Sequence, residues 1–452
     1  MQIVADLHLH SKYSRAVSQS MTLPVMAEYA TQKGIDLLAV SDWTHPLWQK
    51  EISEQLEEVE EGVYKLKQST KSETQGVDVK EPRFIFSTEI SSIYTQGGKL
   101  RRIHSLVFVP NLSVAEKVTK ELIKRGANLN ADGRPIIGLA AKDLLSLILE
   151  IDERSMLIPA HVWTPHFGAY GSASGFDSLV EAFGDLESHI YGIETGLSSD
   201  PGMNWQIAEL QTRSILSFSD AHSPAKMGRE LTVFTSNAEG VSDKFTYDDL
   251  RKIFMRKHPD WKIGYTVEFY PEEGKYHFSG HRNCKVVFGP EEIKTRGSVC
   301  PTCGKRLTEG VLYRLQQLAD PKLEYAAEKK KNVSDLTWYT DKNHKHPPFV
   351  KLVPLLEIVA EANDSTVFSL KTKSKFQELL KKCGSEMDVL LKVSIEEIKK
   401  AAGERVAQGI EKVRAGDIII HPGYDGEYGK VEIWKDGEES VVAETPQLRM
   451  DF

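Results

Sequence analysis

From residue 1 to about residue 240, short apolar runs alternate with stretches whose apolar residues recur at helical spacing. The runs predict strands over Ile3–His8, Leu37–Ser41, Phe84–Thr88, His104–Val109, Met156–Ala160, Ile190–Glu194 and Ile215–Ser219. Helical spacing between them predicts helices such as Pro24–Lys33, Ala115–Arg125 and Ser178–Phe183. Strands and helices in alternation predict an α/β fold with a parallel sheet. About seven repeats over this length fit a closed barrel, with an open doubly wound sheet as the alternative. Residues 50–80 are charged and polar, and predict an exposed helix followed by a loose insertion.

Beyond residue 250 the texture changes. WKIGYTVEFYPEEGKYHF alternates like a hairpin around a Pro-Glu-Glu-Gly turn. After residue 313 helical patterns dominate, among them EEIKKAAGERVAQGIEKVRAG, which reads as two short helices around a glycine. The predicted organisation is therefore a barrel over 1–250, a small β-rich module over 251–312 and a mainly helical region with a terminal β-element and tail over 313–452.

Composition narrows the class. The chain has 452 residues, 40% of them hydrophobic, which is enough for more than one core. No apolar run reaches the length of a membrane span, and no secretory signal is legible, so a cytoplasmic protein is expected. Four cysteines in so long a chain suit metal ligation in a reducing compartment better than a disulfide framework. A net charge of −8 argues against a nucleic-acid partner, although a local basic face is what a phosphate backbone meets.

Chemistry concentrates where the predicted strands end. The first ends at His8, with His10 two residues on. Asp42 and His45 follow the second, and Glu89 the third. His104 opens the fourth, His161 follows the fifth, Glu194 ends the sixth, and Asp220 and His222 follow the seventh. A spacing of two puts both members of a pair on one face of an extended chain. Imidazoles gathered with carboxylates suit zinc, manganese or iron, and crowding them without a cation is costly. Glu89 is the carboxylate best suited to bridge two ions, and water between such ions is a strong nucleophile near neutral pH. His166, His189, His258, His344, His346 and His421 lack this placement and read as surface or loop residues.

DLHLHSKYS with ISD, STEI, IHS, PAH and SDAH resembles the PHP superfamily of metal-dependent phosphoesterases over residues 1–240. The resemblance implies a distorted seven-stranded (β/α) barrel holding two or three divalent metals (Zn, Mn, Mg or Fe). It implies that His8, His10, Glu89 and Asp220 hold the first, that Glu89, His104 and His161 hold the second, and that His222 serves a third. Where many members keep a histidine, this chain has Ser14-Arg15-Ala16, and Trp43 follows Asp42. Either Asp42 and His45 serve the third position or Arg15 replaces that metal as a phosphate contact. Asp220, Glu89, His222 and Arg15 are thus the candidate catalytic residues, and Asp6 is expected to orient a histidine.

GHRNC and CPTCGK place Cys284, Cys300 and Cys303 at knuckle spacing, with His281 the best fourth ligand and His277 the runner-up. The expectation is one structural zinc. Arg251, Lys252, Arg256, Lys257, Lys262, Lys275, Arg282 and Lys285 lie near it in sequence among Trp261, Tyr265, Phe269, Tyr270, Tyr276 and Phe278, a mix that suits a nucleic acid. WTPHFGAYGSASGFDSL and the knuckle phrases resemble a DNA-repair branch of the superfamily. That resemblance implies cleavage of DNA 5′ of deaminated bases or abasic sites. The loop after His161 then offers Trp163, Phe167, Tyr170, Ser172 and Ser174 to a flipped base. Gln447–Phe452 resembles a sliding-clamp docking tail. The competing readings are a small-molecule phosphatase of the histidinol-phosphate kind and a non-catalytic nucleic-acid-binding protein.

Overall fold

The computed structural model describes residues 1–70, 81–237, 244–332 and 334–434, so the Gln447–Phe452 tail and part of the 50–80 insertion lie outside the described residues. Strand Gln2–Asp6 pairs in parallel with Leu37–Ala39, which pairs in parallel with Arg83–Ile85. On its other edge Gln2–Asp6 runs antiparallel to Leu231–Ser236, and that strand runs antiparallel to Trp261–Glu268. These strands belong to a ten-stranded mixed sheet. A four-stranded sheet holds the hairpin Ser87–Gln96 and Lys99–Phe108 together with Ile136–Ile137 and Met156–Pro159. Gly192–Glu194 and Ser214–Leu216 form a parallel pair.

Backbone hydrogen bonds link these sheets in turn at the strand ends. Val109 N donates to Phe86 O, Ala160 N to His104 O, Val162 N to Glu194 O, and Thr195 N to Leu216 O. His10 N then donates to Ala221 O at 3.2 Å, returning to the first strand. Side chains divide by the strand period of two. Ala5, Leu7, Leu37, Ile85, Leu106, Ile158, Leu216 and Phe234 share one central apolar cluster. Their alternates Val4, Leu38, Phe84, Val107, Leu157, Ile215 and Val233 join a second, larger core. Amphipathic helices pack over that core. Leu23–Lys33 ends at Gly34, whose φ of 79° supplies the left-handed stop. Leu112–Lys124 is capped by the Asn111 side chain, which accepts from Val114 N.

Three expectations change. Glu-rich residues 56–66 fold as the hairpin Leu56–Glu60 and Val63–Leu66 rather than continuing the helix Pro46–Gln55, because Gly62 at φ 72° turns the chain and Val63, Tyr64 and Leu66 are buried. Trp261–Glu268 is part of the main sheet, so the small module begins later than residue 251. The region after 313 is not simply helical. Strands Ala327–Lys331, Thr337–Asp341 and Phe349–Lys351 extend the ten-stranded sheet before five helices, Leu355–Ala362 to Glu404–Ala415, pack on it. The two short helices around a glycine are Ile395–Ala402 and Glu404–Ala415, with Gly403 between them.

Candidate metal centre

The chain leaves its strands in left-handed turns at Asp42 (φ 36°), His161 (φ 29°) and Asp220 (φ 47°). Non-glycine residues rarely adopt this geometry, and it persists where surrounding structure holds it. The turns bring two groups of ligand-type side chains together. In one, His8, His10 and Asp220 each offer an atom within 4.8 Å of the others; in the other, Glu89, His104 and His161 do the same.

Glu89 connects the groups. Its Oε1 lies 2.5 Å from His104 Nδ1 and 3.0 Å from His161 Nε2. Its Oε2 faces the other side, 3.4 Å from His10 Nε2 and 3.7 Å from His8 Nε2. Asp220 Oδ1 is 3.0 Å from His10 Nε2 and 3.5 Å from His8 Nε2. Several of these contacts set acceptor atoms together without enough protons to join them. His8 Nε2 is buried with no hydrogen-bond partner, although His8 Nδ1 is held at 2.8 Å by Glu194. A buried imidazole nitrogen left open beside two carboxylates fits a cation at that point.

The electrostatics agree. Burial alone would neutralise Glu89, yet the charges of His104 and Arg134 hold it well below the usual carboxylate range. Asp220 is likewise held low against its burial by His8 and His10. Burial opposes protonation of His10, but its bonds to Asp220 and Asp42 push it up to about 9. Protons therefore stand on part of the cluster where divalent cations would displace them.

Of the remaining sequence candidates, Asp42 reaches the cluster only through His10 Nδ1, at 3.4 Å; its Oδ2 accepts from Ser11 N, Ser11 Oγ and Ser14 Oγ. His45 occupies the N-cap position of the helix Pro46–Gln55 without a side-chain capping bond and stacks on Tyr13 at 4.5 Å. Arg15 points away, with a side chain 74% exposed beside Asp132. The cation of the cluster is instead Arg134, whose Nη1 is 3.2 Å from Glu89 Oε2. His222 packs on His10 with ring centroids 4.7 Å apart, and its Nδ1 donates to Asp220 O. Asp6 orients no histidine. It accepts from Ser219 N and Gly228 N, and burial raises it to about 6. The orienting carboxylate is Glu194, which also accepts from His161 N at 2.8 Å. Arg134 lies in a loop without periodicity, and no spacing marks it; Glu194 was visible as a strand-end acid but carried no assigned role.

The loop after His161 differs from expectation. Trp163 is fully buried and donates to Asn204, and buried Tyr170 bonds Glu209, so neither ring is free to stack on a base. Phe167 is partly exposed and packs on His104 at 4.4 Å. Ser172 donates to Glu309 O, and Ser174 is buried.

His281, Cys284, Cys300 and Cys303 form a third cluster, with Cys303 Sγ 3.3 Å from His281 Nδ1. Gly304, at φ 72°, turns the chain behind the second knuckle. His277 is buried elsewhere with its Nδ1 unpaired. The basic and aromatic residues near this module in sequence are dispersed in space: Arg251 and Lys252 pair with Asp248, and Trp261 is buried in the main sheet.

The family model described as the MJ0043 C-terminal domain matches residues 354–417, the five-helix region. The MJ0043 protein of Methanocaldococcus jannaschii is 31% identical over 291 residues, 63% of this chain, and the chain spans only 33% of that longer relative. The YqxK protein of Bacillus subtilis is 29% identical over 442 residues, 95% of this chain and 99% of that one. Among solved structures, the lesion-specific endonuclease Q of Pyrococcus furiosus aligns with TM-score 0.76 and 29% identity, covering 96% of this chain and 95% of that one. Endonuclease Q bound to a 27-mer duplex with an abasic lesion at its active site aligns with TM-score 0.78 and 30% identity, covering 96% and 98%.

Fold, site and these likenesses define a hydrolase acting on phosphodiester bonds. Within that class the chain belongs to the endonuclease Q family of DNA endonucleases.

Proposed function

We propose that this protein is a metal-dependent repair endonuclease. It hydrolyses the DNA phosphodiester 5′ of a deaminated base (uracil, hypoxanthine or xanthine) or an abasic site, leaving a 3′-hydroxyl and a 5′-phosphate. The observation that carries the reading is Glu89, whose two oxygens face two separate groups of ligand-type side chains. A relative of the same fold, aligned over nearly its whole length, holds duplex DNA with an abasic lesion at its active site.

His8, His10 and Asp220 would hold one ion and His104 and His161 a second, with Glu89 shared between them in a PHP-type seven-stranded barrel. Divalent ions in such sites lower the pKa of water and neutralise charge developing on phosphate. The chain's own groups prepare for this. Glu194 fixes His8 through Nδ1, which leaves Nε2 facing inward. Arg134 positions Glu89 and adds positive charge where a phosphate anion would dock. His222, with Nδ1 committed to a backbone carbonyl, presents its other nitrogen at the part-exposed rim. There it is placed to manage the proton of the departing 3′-oxygen. His281, Cys284, Cys300 and Cys303 would hold a structural zinc, since the apolar cluster beside them is small, with Phe288, Ile293 and Leu307 buried and Val286 and Tyr313 packed against them.

The test is a panel of end-labelled duplexes carrying one deoxyuridine, deoxyinosine or abasic site, incubated with Mn²⁺ or Mg²⁺ beside an undamaged duplex. A nick 5′ of the lesion supports the reading. Hydrolysis of histidinol phosphate with no nick would move the assignment to a small-molecule phosphatase.

A further inference from the structure

A cavity of about 450 Å³ lies where Ser214–Leu216 and Trp261–Glu268 begin, and is lined by Ser214, Ile215 and Trp261. The catalytic cluster lies past the other end of the first of these strands, at Asp220. The two sites are therefore separated by Ser214 to Asp220, up to about 20 Å of extended chain. The cavity's volume falls within the ordinary range of small-ligand sites, roughly 300–1,000 Å³.

Its lining is one-sided. Arg213, Arg256, Lys262 and Lys345 face it, and no Asp or Glu appears among the described residues lining it. That inverts the balance of the chain, which has 65 acidic against 57 basic side chains. Arg213 is committed, paired with Glu187 and bonded to the Ile190 carbonyl. Arg256 donates one bond to Gln211 O. Neither it nor Lys262 or Lys345 has a carboxylate partner among the described residues. These three cations outnumber the nearby Asp341 carboxylate, which accepts from the Lys345 backbone N–H, and a bound polyanion relieves the repulsion among them.

An aromatic floor adjoins the cations. Trp205 and His346 both line the cavity, with rings 5.2 Å apart and tilted by only 9°. His346 Nε2 is fixed by Gln211 Oε1 at 3.2 Å, which sets the plane of its ring. Pro347 and Pro348 stiffen the wall behind it. Burial lowers the pKa of His346 against the opposing Asp341 carboxylate, with Arg256 and Lys345 adding to the effect of burial, so the imidazole is neutral and flat, a surface on which another ring can stack.

We propose that this cavity is a second ligand site that binds a phosphorylated nucleoside, with the base on the His346–Trp205 stack and the phosphates among Arg256, Lys262 and Lys345. The site is separate from the hydrolytic centre and does not depend on the lesion chemistry proposed above. The same chemistry, phosphate beside a base, is offered by a free nucleotide and by a DNA strand. A half-open concavity of mononucleotide size, away from the strand ends that gather the catalytic residues, favours the free nucleotide.

The test uses the full chain and ATP, followed by calorimetry and by the His346 ring signals in a proton–carbon spectrum. Asp220→Asn controls for ATP held at the hydrolytic centre, and inorganic phosphate reports the contribution of phosphate alone. The proposal expects ATP to bind Asp220→Asn as it binds the parent, and to bind Arg256→Glu/Lys262→Glu at least tenfold more weakly. It also expects ATP to raise the pKa of His346, since added negative charge favours the imidazolium. The charge-reversed variant should keep its melting temperature and its lesion cleavage. ATP binding abolished by Asp220→Asn and unchanged by the charge reversal overturns the proposal, as does no binding at millimolar ATP. Weakened binding of undamaged duplex by the charge reversal, with no ATP binding to either protein, would give the cavity to DNA instead.

Discussion

Glu194 shows how much of a site of this kind rests on residues that touch no substrate. One of its oxygens holds His8 Nδ1 and the other accepts from the backbone of His161, so a single buried carboxylate fixes the ring of one ligand and the main chain of another, one in each ligand group. Replacing it with glutamine keeps the shape but removes the charge that fixes the His8 tautomer. Glu194→Gln is expected to reduce metal affinity or cleavage about 10- to 100-fold, with the fold retained. Metal content after dialysis against graded chelator checks this, and an unchanged retention curve refutes the role. A second buried carboxylate sets a pH dependence. Glu268 is fully buried, and that burial raises it from the usual 4.5 to about 8. Its folded pKa lies above its unfolded one, so its stabilising contribution is complete below about pH 4.5 and is lost as pH rises towards 8. Each pH unit of that window costs roughly 1.4 kcal/mol. Glutamine mimics the protonated form, so Glu268→Gln should lose less thermal stability than the parent between pH 5 and pH 8.5. Parallel melting curves across that range would contradict it.

Elements place these residues, and they were unevenly legible. The strand-end histidines and carboxylates stood out because strand periodicity and the turn after each strand are both written locally, as in LHLH and SDAH. The Ser87–Gln96 and Lys99–Phe108 hairpin did not, although Gly97-Gly98 is a hairpin turn signal, because its outer halves Tyr94–Gln96 and Lys99–Arg102 are largely polar and charged and its pairing is read only from the partner strand. Arg134 and the pairing of Glu194 with His8 were hidden for the same reason: nothing near residue 134 or 194 marks a partner at 89 or 8. Trp163 and Tyr170 were misplaced because aromatics in a Gly/Ser loop look exposed until their buried partners Asn204 and Glu209 are seen. One glycine is demanded by an element junction. Gly196 sits at φ 59°, and a Cβ there would lie 2.3 Å from His161 Cβ. Gly196→Ala combines a left-handed cost of about 1–2 kcal/mol with that clash. Urea unfolding should show a loss larger than the backbone cost alone, together with a steep fall in cleavage; parent-like stability and activity would exclude the contact. The knuckle element makes a separable prediction. Cys300→Ser should remove one zinc per chain by elemental analysis and loosen residues near 280–307 to proteolysis, while a variant with full zinc content would rule out the thiolate as a ligand.

At the scale of the molecule, strands linked end to end put six ligand-type side chains at one rim. A five-helix region follows the extended sheet, and the antiparallel pair Ile419–His421 and Lys430–Glu432 ends the described chain. No helix among the described residues is long and apolar enough to cross a membrane. The central claim is that the cluster around Glu89 cuts DNA beside a lesion, and that binding and cutting are separable. The most direct measurement compares the parent and Asp220→Asn on one duplex with a single abasic site, following both band shift and cleavage with Mn²⁺ present. The account predicts a nick immediately 5′ of the lesion for the parent. For the variant it predicts a comparable band shift with cleavage reduced about 10²- to 10³-fold, the scale lost when a principal electrostatic group of a hydrolytic site is removed. A variant that still nicks at the parent's rate would contradict it, as would a parent that binds the duplex and leaves it intact.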